Sequence, residues 1–233
     1  MKIRVIIIDD ERLCREELKG MLAGYADFDV VAEAADADEA AQQITALQPD
    51  LIFLDIQLPE QSGFDLLESL SNVPAVLFTT AFNQYAVQAF ELNALDYLVK
   101  PIREERFAKA IEKVRHNRTA KMLTEASRQL FIKDGDHCYF IQVSDVYLIE
   151  SLDNYSRLYF NNKKVVLKRS LNQWEEQLPP NLFFRISRTH LVNTRYIQQV
   201  TNLSKSKISI QLSTGQVLEA SARQSAKFKN KLP

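Results

Sequence analysis

Carboxylates, hydroxyls and one amine stand where short apolar runs stop in the first half of the chain. Asp9-Asp10 follow Val5 to Ile8, and Asp55 follows Leu51 to Leu54. Thr79-Thr80 follow Ala75 to Phe78, and Lys100-Pro101 follow Tyr97 to Val99. This inventory suits a divalent cation and a phosphoryl group. Magnesium is a hard cation that takes oxygen ligands and keeps several waters, so one or two carboxylates suffice. Asp10 and Asp55 are the candidates, with Asp9 in support. Asp55 is also the candidate nucleophile, because a carboxylate that attacks a phosphoryl donor forms an acyl phosphate. Lys100 and the Thr80 hydroxyl would then hold the other phosphoryl oxygens.

For residues spread over some ninety positions to meet, the apolar runs must lie side by side. Ile3 to Ile8 is apolar apart from Arg4, as expected of a strand buried on both faces. Further strands are expected at 30–34, 51–54, 75–78 and 97–99, with helices between them at 11–23, 37–47, 64–70, 84–92 and 104–118. Asp36 is placed to cap the second helix, with Glu39 at the capping-box position. The alternation predicts an α/β doubly wound (βα)5 domain, in which ligands bind at the carboxyl edge of the parallel strands.

The second half changes period. Short β-branched and aromatic runs recur from Leu130 to Glu219, separated by turn signals at Gly135, Asp153-Asn154, Asn161-Asn162 and Gly215. A short helix is expected at 170–177 and another at 221–231. This half reads as mostly antiparallel β. The division is 1–118 for the first domain, 119–128 for a linker and 129–233 for the second domain. Charge follows the same division. Residues 1–118 hold 12 Lys/Arg against 21 Asp/Glu, a net of −9; residues 119–233 hold 17 against 9, a net of +8. The basic half is a candidate for a polyanionic partner. Arg185 and Arg188 fall around a turn, and arginine forks suit guanine edges or phosphates. Lys168, Arg169, Arg223, Lys227 and Lys229 add charge for phosphates.

Composition excludes several classes. No apolar run approaches the ~18–20 residues of a membrane span, and no secretory leader is legible at Met1, so a cytoplasmic protein is expected. Cys14 and Cys138 are expected as two buried thiols of a reducing compartment. His116, His137 and His190 lack zinc-ligand spacing.

The ordered set Ile7-Ile8-Asp9-Asp10-Glu11, Phe53-Leu54-Asp55, Leu58-Pro59-x-x-x-Gly63, Phe78-Thr79-Thr80-Ala81 and Asp96-Tyr97-Leu98-Val99-Lys100-Pro101 resembles the receiver domain of two-component response regulators. The resemblance covers about residues 1–118. It implies Asp55 as phosphoacceptor, with magnesium on Asp10, Asp55 and the Gln57 carbonyl, assisted by Asp9. It also implies Thr80 as switch hydroxyl, Tyr97 as the aromatic that repacks, Lys100 as phosphoryl contact and a cis Lys100-Pro101 bond. Receivers of this kind dimerise through the face that Tyr97 borders. Phe82 cannot position a hydrolytic water, so self-dephosphorylation is expected to be slow.

Phe183-Phe184-Arg185-Ile186-Ser187-Arg188-Thr189-His190-Leu191-Val192-Asn193, with Ile149-Glu150-Ser151-x-x-Asn154-Tyr155 before it and Ala220-Ser221-Ala222-Arg223 after it, resembles the LytTR DNA-binding domain. That family inserts loops of a ten-stranded β fold into successive major grooves. The resemblance places Asn154 and Tyr155 in the first DNA-contacting loop, Arg188 in the second and Arg223 in the third. Arg185 and Asn193 match the motif and are open to structural roles. Ser187 stands where the family commonly has His. The implied protein is a transcription regulator, phosphorylated by a sensor histidine kinase, that dimerises and binds paired sites on double-stranded DNA. An alternative keeps the DNA binding and uses the first domain only to dimerise. A phosphohydrolase would need an acid two residues after the nucleophile, where Gln57 stands, so a turnover enzyme is not expected.

Overall fold

The computed structural model describes residues 2–81, 95–121, 128–135 and 137–230. The expected helix at 84–92 and Phe82 lie outside them. The chain divides into two compact units, Met1–Phe140 and Ile141–Pro233.

In unit 1, β1 (Ile3–Ile8), β2 (Phe28–Ala34), β3 (Leu51–Asp55), β4 (Ala75–Thr80) and β5 (Asp96–Val99) form a parallel sheet of order β2-β1-β3-β4-β5. Four helices are described here: α1 (Arg12–Leu22), α2 (Ala37–Leu47), α3 (Gly63–Ser69) and α4 (Glu104–Lys121). Alternate strand residues face opposite sides of a sheet, and both sides are covered. Val5, Ile7, Phe53 and Leu77 share a core with Leu18 of α1 and Phe107 and Ile111 of α4. Ile6, Ile8, Leu54 and Phe78 share the other with Ile44 of α2 and Phe64 and Leu67 of α3. Asp36 caps α2 by accepting from the Glu39 amide at 2.8 Å, while the Glu39 carboxylate accepts from Ala35 rather than from the cap residue.

The hairpin of β6 (Gln129–Asp134) and β7 (His137–Gln142) adds Phe131, Cys138 and Phe140 to this second core. Phe131 stacks on Phe64 at 5.9 Å between centroids, and Phe140 lies 6.4 Å from Phe78. The Gln129 carbonyl accepts from Val73, and Glu68 accepts from the Lys133 amide. The packing of residues 129–140 therefore belongs to unit 1. Cys138 is buried, whereas Cys14 is only half-buried, one helical turn after Asp10 on α1.

Unit 2 is built on an antiparallel sheet of order β10-β9-β8-β12-β11 and a smaller one of order β13-β14-β15. The strands are β8 (Val146–Leu152), β9 (Tyr155–Phe160), β10 (Lys163–Leu167), β11 (Phe183–Arg185), β12 (His190–Asn193), β13 (Ile197–Asn202), β14 (Ile208–Leu212) and β15 (Val217–Glu219). With the hairpin, the second half holds ten strands among the described residues. Asn161 and Asn162 both take positive φ, the left-handed geometry a two-residue hairpin needs, and Phe160 pairs with Lys163 across them. Helix α5 (Leu171–Gln177) starts at a Ser170 capping box and buries Trp174, whose ring nitrogen donates to Ser156 at 2.7 Å. Helix α6 (Ala222–Lys229) starts at Ser221 and buries Phe228 against Phe184. No helix among the described residues is long and apolar enough to cross a membrane.

Candidate functional sites: an acidic sheet edge and a basic loop surface

The strand registers bring the four polar points of unit 1 to one edge. Ile8 pairs with Leu54, Asp55 with Thr79, and Thr80 with Val99. Asp9 and Lys100 are the residues that follow β1 and β5. The Lys100 ammonium lies 2.7 Å from Asp9 Oδ2 and 2.6 Å from Asp55 Oδ2. Its own amide donates to the Thr80 carbonyl at 2.9 Å, and the bond to Pro101 is cis. Burial would lower the Lys100 pKa, but the two carboxylates outweigh it and hold the amine charged, well above its ordinary value. Asp9 is fully buried; burial pushes its carboxyl up, against the pull of Lys100.

Asp9, Asp10 and Asp55 each offer a carboxylate oxygen, and these oxygens all lie within 4.8 Å of one another. Three carboxylates thus face one amine. Asp10 is the exposed member. An all-oxygen set with an excess of negative charge and an open side fits a hard divalent cation such as magnesium.

The loops that carry these groups are tied by short hydrogen bonds. Asp9 Oδ1 accepts from the Glu11 amide and Asp55 Oδ1 from the Gln57 amide, each at 3.1 Å. Gln57 also bridges to Ser62 across the β3–α3 loop. Gly63 closes that loop by donating to the Ile56 carbonyl at 2.8 Å. A Cβ on Gly63 would stand 2.4 Å from the Asp55 carbonyl oxygen, so the glycine of the Leu58-Pro59-x-x-x-Gly63 motif is a steric requirement of the acceptor loop. Two side chains with roles here were not singled out in the sequence. Arg15 donates to the Asp9 carbonyl at 2.6 Å and pairs with Glu33, which holds the β1–α1 turn. Its position one helical turn after Glu11 was the available signal. Asp96 at the start of β5 is paired with Arg106 and Lys113 of α4. Burial opposes the Asp96 charge, but Arg106, the Tyr97 amide and Lys113 hold its carboxyl below the ordinary value. Tyr97 is buried in the core that also holds Phe78, Phe131 and Phe140.

In unit 2, Arg188, Arg223 and Lys227 are all exposed and line one concavity of about 600 Å³, together with Lys207 and Arg185. Ser187 organises the loop that carries Arg188. Its hydroxyl accepts from the Thr189 and His190 amides at 3.1 and 3.0 Å, a local side-chain turn that the Ser-x-Thr spacing could have signalled. The end of β8, just before its turn into β9, reaches the same loop, because the Ser151 amide donates to the Thr189 carbonyl at 2.8 Å. Asn154 and Tyr155 are exposed there, and Asp153 takes the positive φ of the turn. Lys168 is exposed beyond β10.

The remaining motif residues are engaged within the protein. Arg169 lies over the Trp174 ring at 4.6 Å and donates to Gln177. Arg185 donates to Ser187, Arg188, Asn172 and Glu175. Asn193 is buried, donates to the Val146 carbonyl at 2.9 Å and accepts from the Arg195 amide. Burial pushes the His190 imidazole below its ordinary pKa, against the attraction of Glu150.

Residues 5–112 match the response regulator receiver domain, and residues 136–233 match the LytTr DNA-binding domain. Over 241 residues the chain is 33% identical to the sensory transduction protein LytT of Enterococcus faecalis, covering 99% of each chain. Over 211 residues it is 33% identical to the transcriptional regulatory protein LytR of Staphylococcus aureus strain N315, covering 85% of this chain and 86% of that one. The LytT protein of Bacillus cereus is 29% identical over the same length.

Proposed function

Because the chain belongs to the response regulators that join a receiver domain to a LytTR DNA-binding domain, with DNA-binding regulation linked to phosphorylation, we propose that Asp55 is its phosphoacceptor and that the Arg188 loop is its main base-reading element. The observation that carries this reading is the convergence of Asp9, Asp10, Asp55 and Lys100 from three strand ends at one edge. A carboxylate oxygen of Asp55 attacks the phosphorus of a phosphohistidine on a sensor kinase. The P–O bond forms as the P–N bond breaks, and the imidazole leaves. Asp9, Asp10, Asp55 and the Gln57 carbonyl would hold magnesium, which when bound neutralises the incoming oxygens. Lys100 is the protein's own cation at the site and holds a phosphoryl oxygen. Thr80, at the end of β4, offers its hydroxyl to another.

Phosphate supplies the differential interaction that shifts a two-state population. Thr80 moving toward the phosphoryl group leaves space for Tyr97. That repacking changes the receiver face and favours a homodimer, which brings two copies of unit 2 onto paired sites in double-stranded DNA. There Arg188 reads base edges, with Asn154, Tyr155 and Arg223 in flanking loops, while Lys227 and Lys168 meet phosphates. On this reading the division of labour is 1–118 for the receiver, 119–128 for the link and 129–233 for the DNA-binding half, whose first hairpin, 129–140, packs on the receiver core, in a cytoplasmic regulator with no substrate turnover.

The test is stoichiometric labelling. Incubated with a phosphorylated histidine kinase and magnesium, the full chain takes up one phosphoryl group per molecule, and Asp55→Asn takes up none. Steady turnover of the donor without accumulation of label, or label retained by Asp55→Asn, would overturn the assignment.

A further inference from the structure

Arg185 belongs to the same arginine-rich motif as Arg188, yet the two side chains live in different surroundings. Arg188 is exposed, and its guanidinium donates to no described residue. Arg185 is 20% exposed. Its Nε donates to the Ser187 carbonyl at 3.1 Å, and its Nη2 donates to the Arg188 carbonyl at 3.3 Å. Its Nη1 donates to Asn172 Oδ1 and, at 3.0 Å, to Glu175 Oε2, both on α5. Three nitrogens of one planar fork are therefore committed to four acceptors, and its charge already faces a carboxylate. One Nη2 N–H is left over, so a DNA phosphate could gain a two-bond fork contact only by displacing one of those partners, and it would approach Glu175.

Besides the fork, the loop is held by Ser151 of β8, whose amide donates to the Thr189 carbonyl at 2.8 Å, by Ser221, whose amide donates to the Ile186 carbonyl at 2.9 Å, and by local bonds. The Ile186 amide donates to the His190 carbonyl at 3.0 Å, and the Ser187 hydroxyl accepts from Thr189 and His190. These bonds shape the turn, and Arg185 joins the Ser187 and Arg188 carbonyls to α5. Among side chains, guanidinium alone presents five donors in a fixed plane; an ammonium on a flexible stem cannot reproduce the pattern.

We propose that Arg185 is a positioning residue. It clamps the Ser187 and Arg188 carbonyls to α5, and so sets the direction in which Arg188 leaves the loop before DNA arrives. A recognition loop ordered in advance loses less conformational freedom on binding, and the saving appears as selectivity. This rests on the DNA-binding reading of unit 2, but the clamp itself can be tested without DNA.

The experiment uses the full chain as wild type, Arg185→Lys, Arg185→Gln and Lys227→Ala. Two duplexes of equal length serve as probes: one enriched from genomic fragments by the wild-type protein, the other of random sequence. Affinity for each is measured over a salt series. Arg185→Lys keeps the charge, and the clamp predicts that the ratio of specific to random affinity still falls about tenfold, within the discrimination that a bidentate base contact supplies. Arg185→Gln should keep the wild-type salt slope, whereas Lys227→Ala should lose about 0.9 of a unit, the value for one phosphate contact. A smaller slope for Arg185→Gln, or full selectivity in Arg185→Lys, overturns the proposal and makes Arg185 a DNA contact.

Amide hydrogen exchange of the free protein gives the second readout. The clamp predicts exchange at Thr189 and His190 about tenfold faster in Arg185→Lys, on the scale of a local opening rather than global unfolding, with Leu148 and Val192 in the adjacent strands unchanged. Equal exchange at Thr189 and His190 also overturns it. If wild type prefers no duplex, the DNA-binding reading fails, and the exchange result still decides the clamp.

Discussion

The acidic edge of unit 1 and the basic loop of unit 2 are assembled in opposite ways. Asp9, Asp55 and Lys100 are separated by tens of residues and meet only because parallel strands end together, in the registers Ile8–Leu54 and Asp55–Thr79. Arg185, Ser187, Arg188 and His190 meet because one short turn folds on itself, with Asn172 and Glu175 of α5, Ser151 of β8 and Ser221 ahead of α6 tying it to neighbouring elements. The first site depends on the topology of a whole domain; the second depends on a few local hydrogen bonds. Unit 1 should therefore resist changes at its periphery but fail when a strand end or its loop is altered. Unit 2 should tolerate loss of single charges and lose selectivity first.

The largest predicted effect is at Lys100, the one amine between two carboxylates. Lys100→Ala should slow phosphoryl uptake by about 10²–10³-fold, as removal of one preorganised charge-stabilising donor does elsewhere. Its affinity for DNA without phosphorylation should stay at the wild-type level. An uptake rate within a few-fold of wild type would remove Lys100 from the site.

Gly63 tests how tightly the acceptor loop is built. A methyl group there meets backbone rather than a movable side chain, so Gly63→Ala should cost about 1–3 kcal/mol of unit 1 stability, the usual range for overpacking. Urea unfolding followed by probes in each unit should show the loss in unit 1 only. An unchanged midpoint would mean that the loop relaxes freely.

In unit 2, Arg188→Ala should lower discrimination between the selected and a random duplex by about 1–3 kcal/mol. Lys227→Ala should weaken both equally and reduce the salt slope by about 0.9. Competition binding at several salt concentrations separates the two, and equal behaviour of both variants would break the distinction between base reading and phosphate contact.

The smallest effect distinguishes the units by pH. His190 has a folded-state pKa below its ordinary 6.5, so the folded protein binds the proton less readily than the unfolded chain. Its contribution is intact above about 6.5 and is lost as pH falls through the depressed value. Asp96 is likewise depressed, from 3.8, so the stability it lends is intact above about 3.8 and is lost only in stronger acid. Stability measured against pH should then show a His190-dependent decline, absent in His190→Gln, that begins well before the Asp96-dependent one, absent in Asp96→Asn. A single shared transition would contradict the assignment.

Much of the acidic site was legible in the sequence because strand ends announce themselves: an apolar run stops and a polar residue follows. Asp9, Asp55, Thr80 and Lys100 could be placed that way. The relative weight of Asp9 and Asp10 was not legible, since adjacent residues on a turn point apart and only the structure shows Asp9 buried against Lys100 with Asp10 exposed. In the second half, periodicity disclosed the strands and the two short helices, including the Asn161-Asn162 turn. It did not disclose which arginines are engaged. Arg169 is held by Trp174 and Gln177, and Arg185 by Asn172 and Glu175, partners that α5 brings close only after folding. Nor did it place residues 129–140. Their alternation indicates a hairpin, but which core receives Phe131 and Phe140 depends on the complementary face offered by Phe64 and Phe78.

The central claim is that the state of Asp55 governs what the Arg188 loop does. The most direct test is selection of genomic DNA fragments by the full chain at near-physiological salt, with and without magnesium and beryllofluoride as a phosphoryl mimic, for wild type and Asp55→Asn. The account predicts a paired motif whose enrichment strengthens with the mimic in wild type and stays at the basal level in Asp55→Asn. Equal enrichment in all four conditions would contradict it, leaving a DNA-binding protein whose receiver serves only to pair its copies.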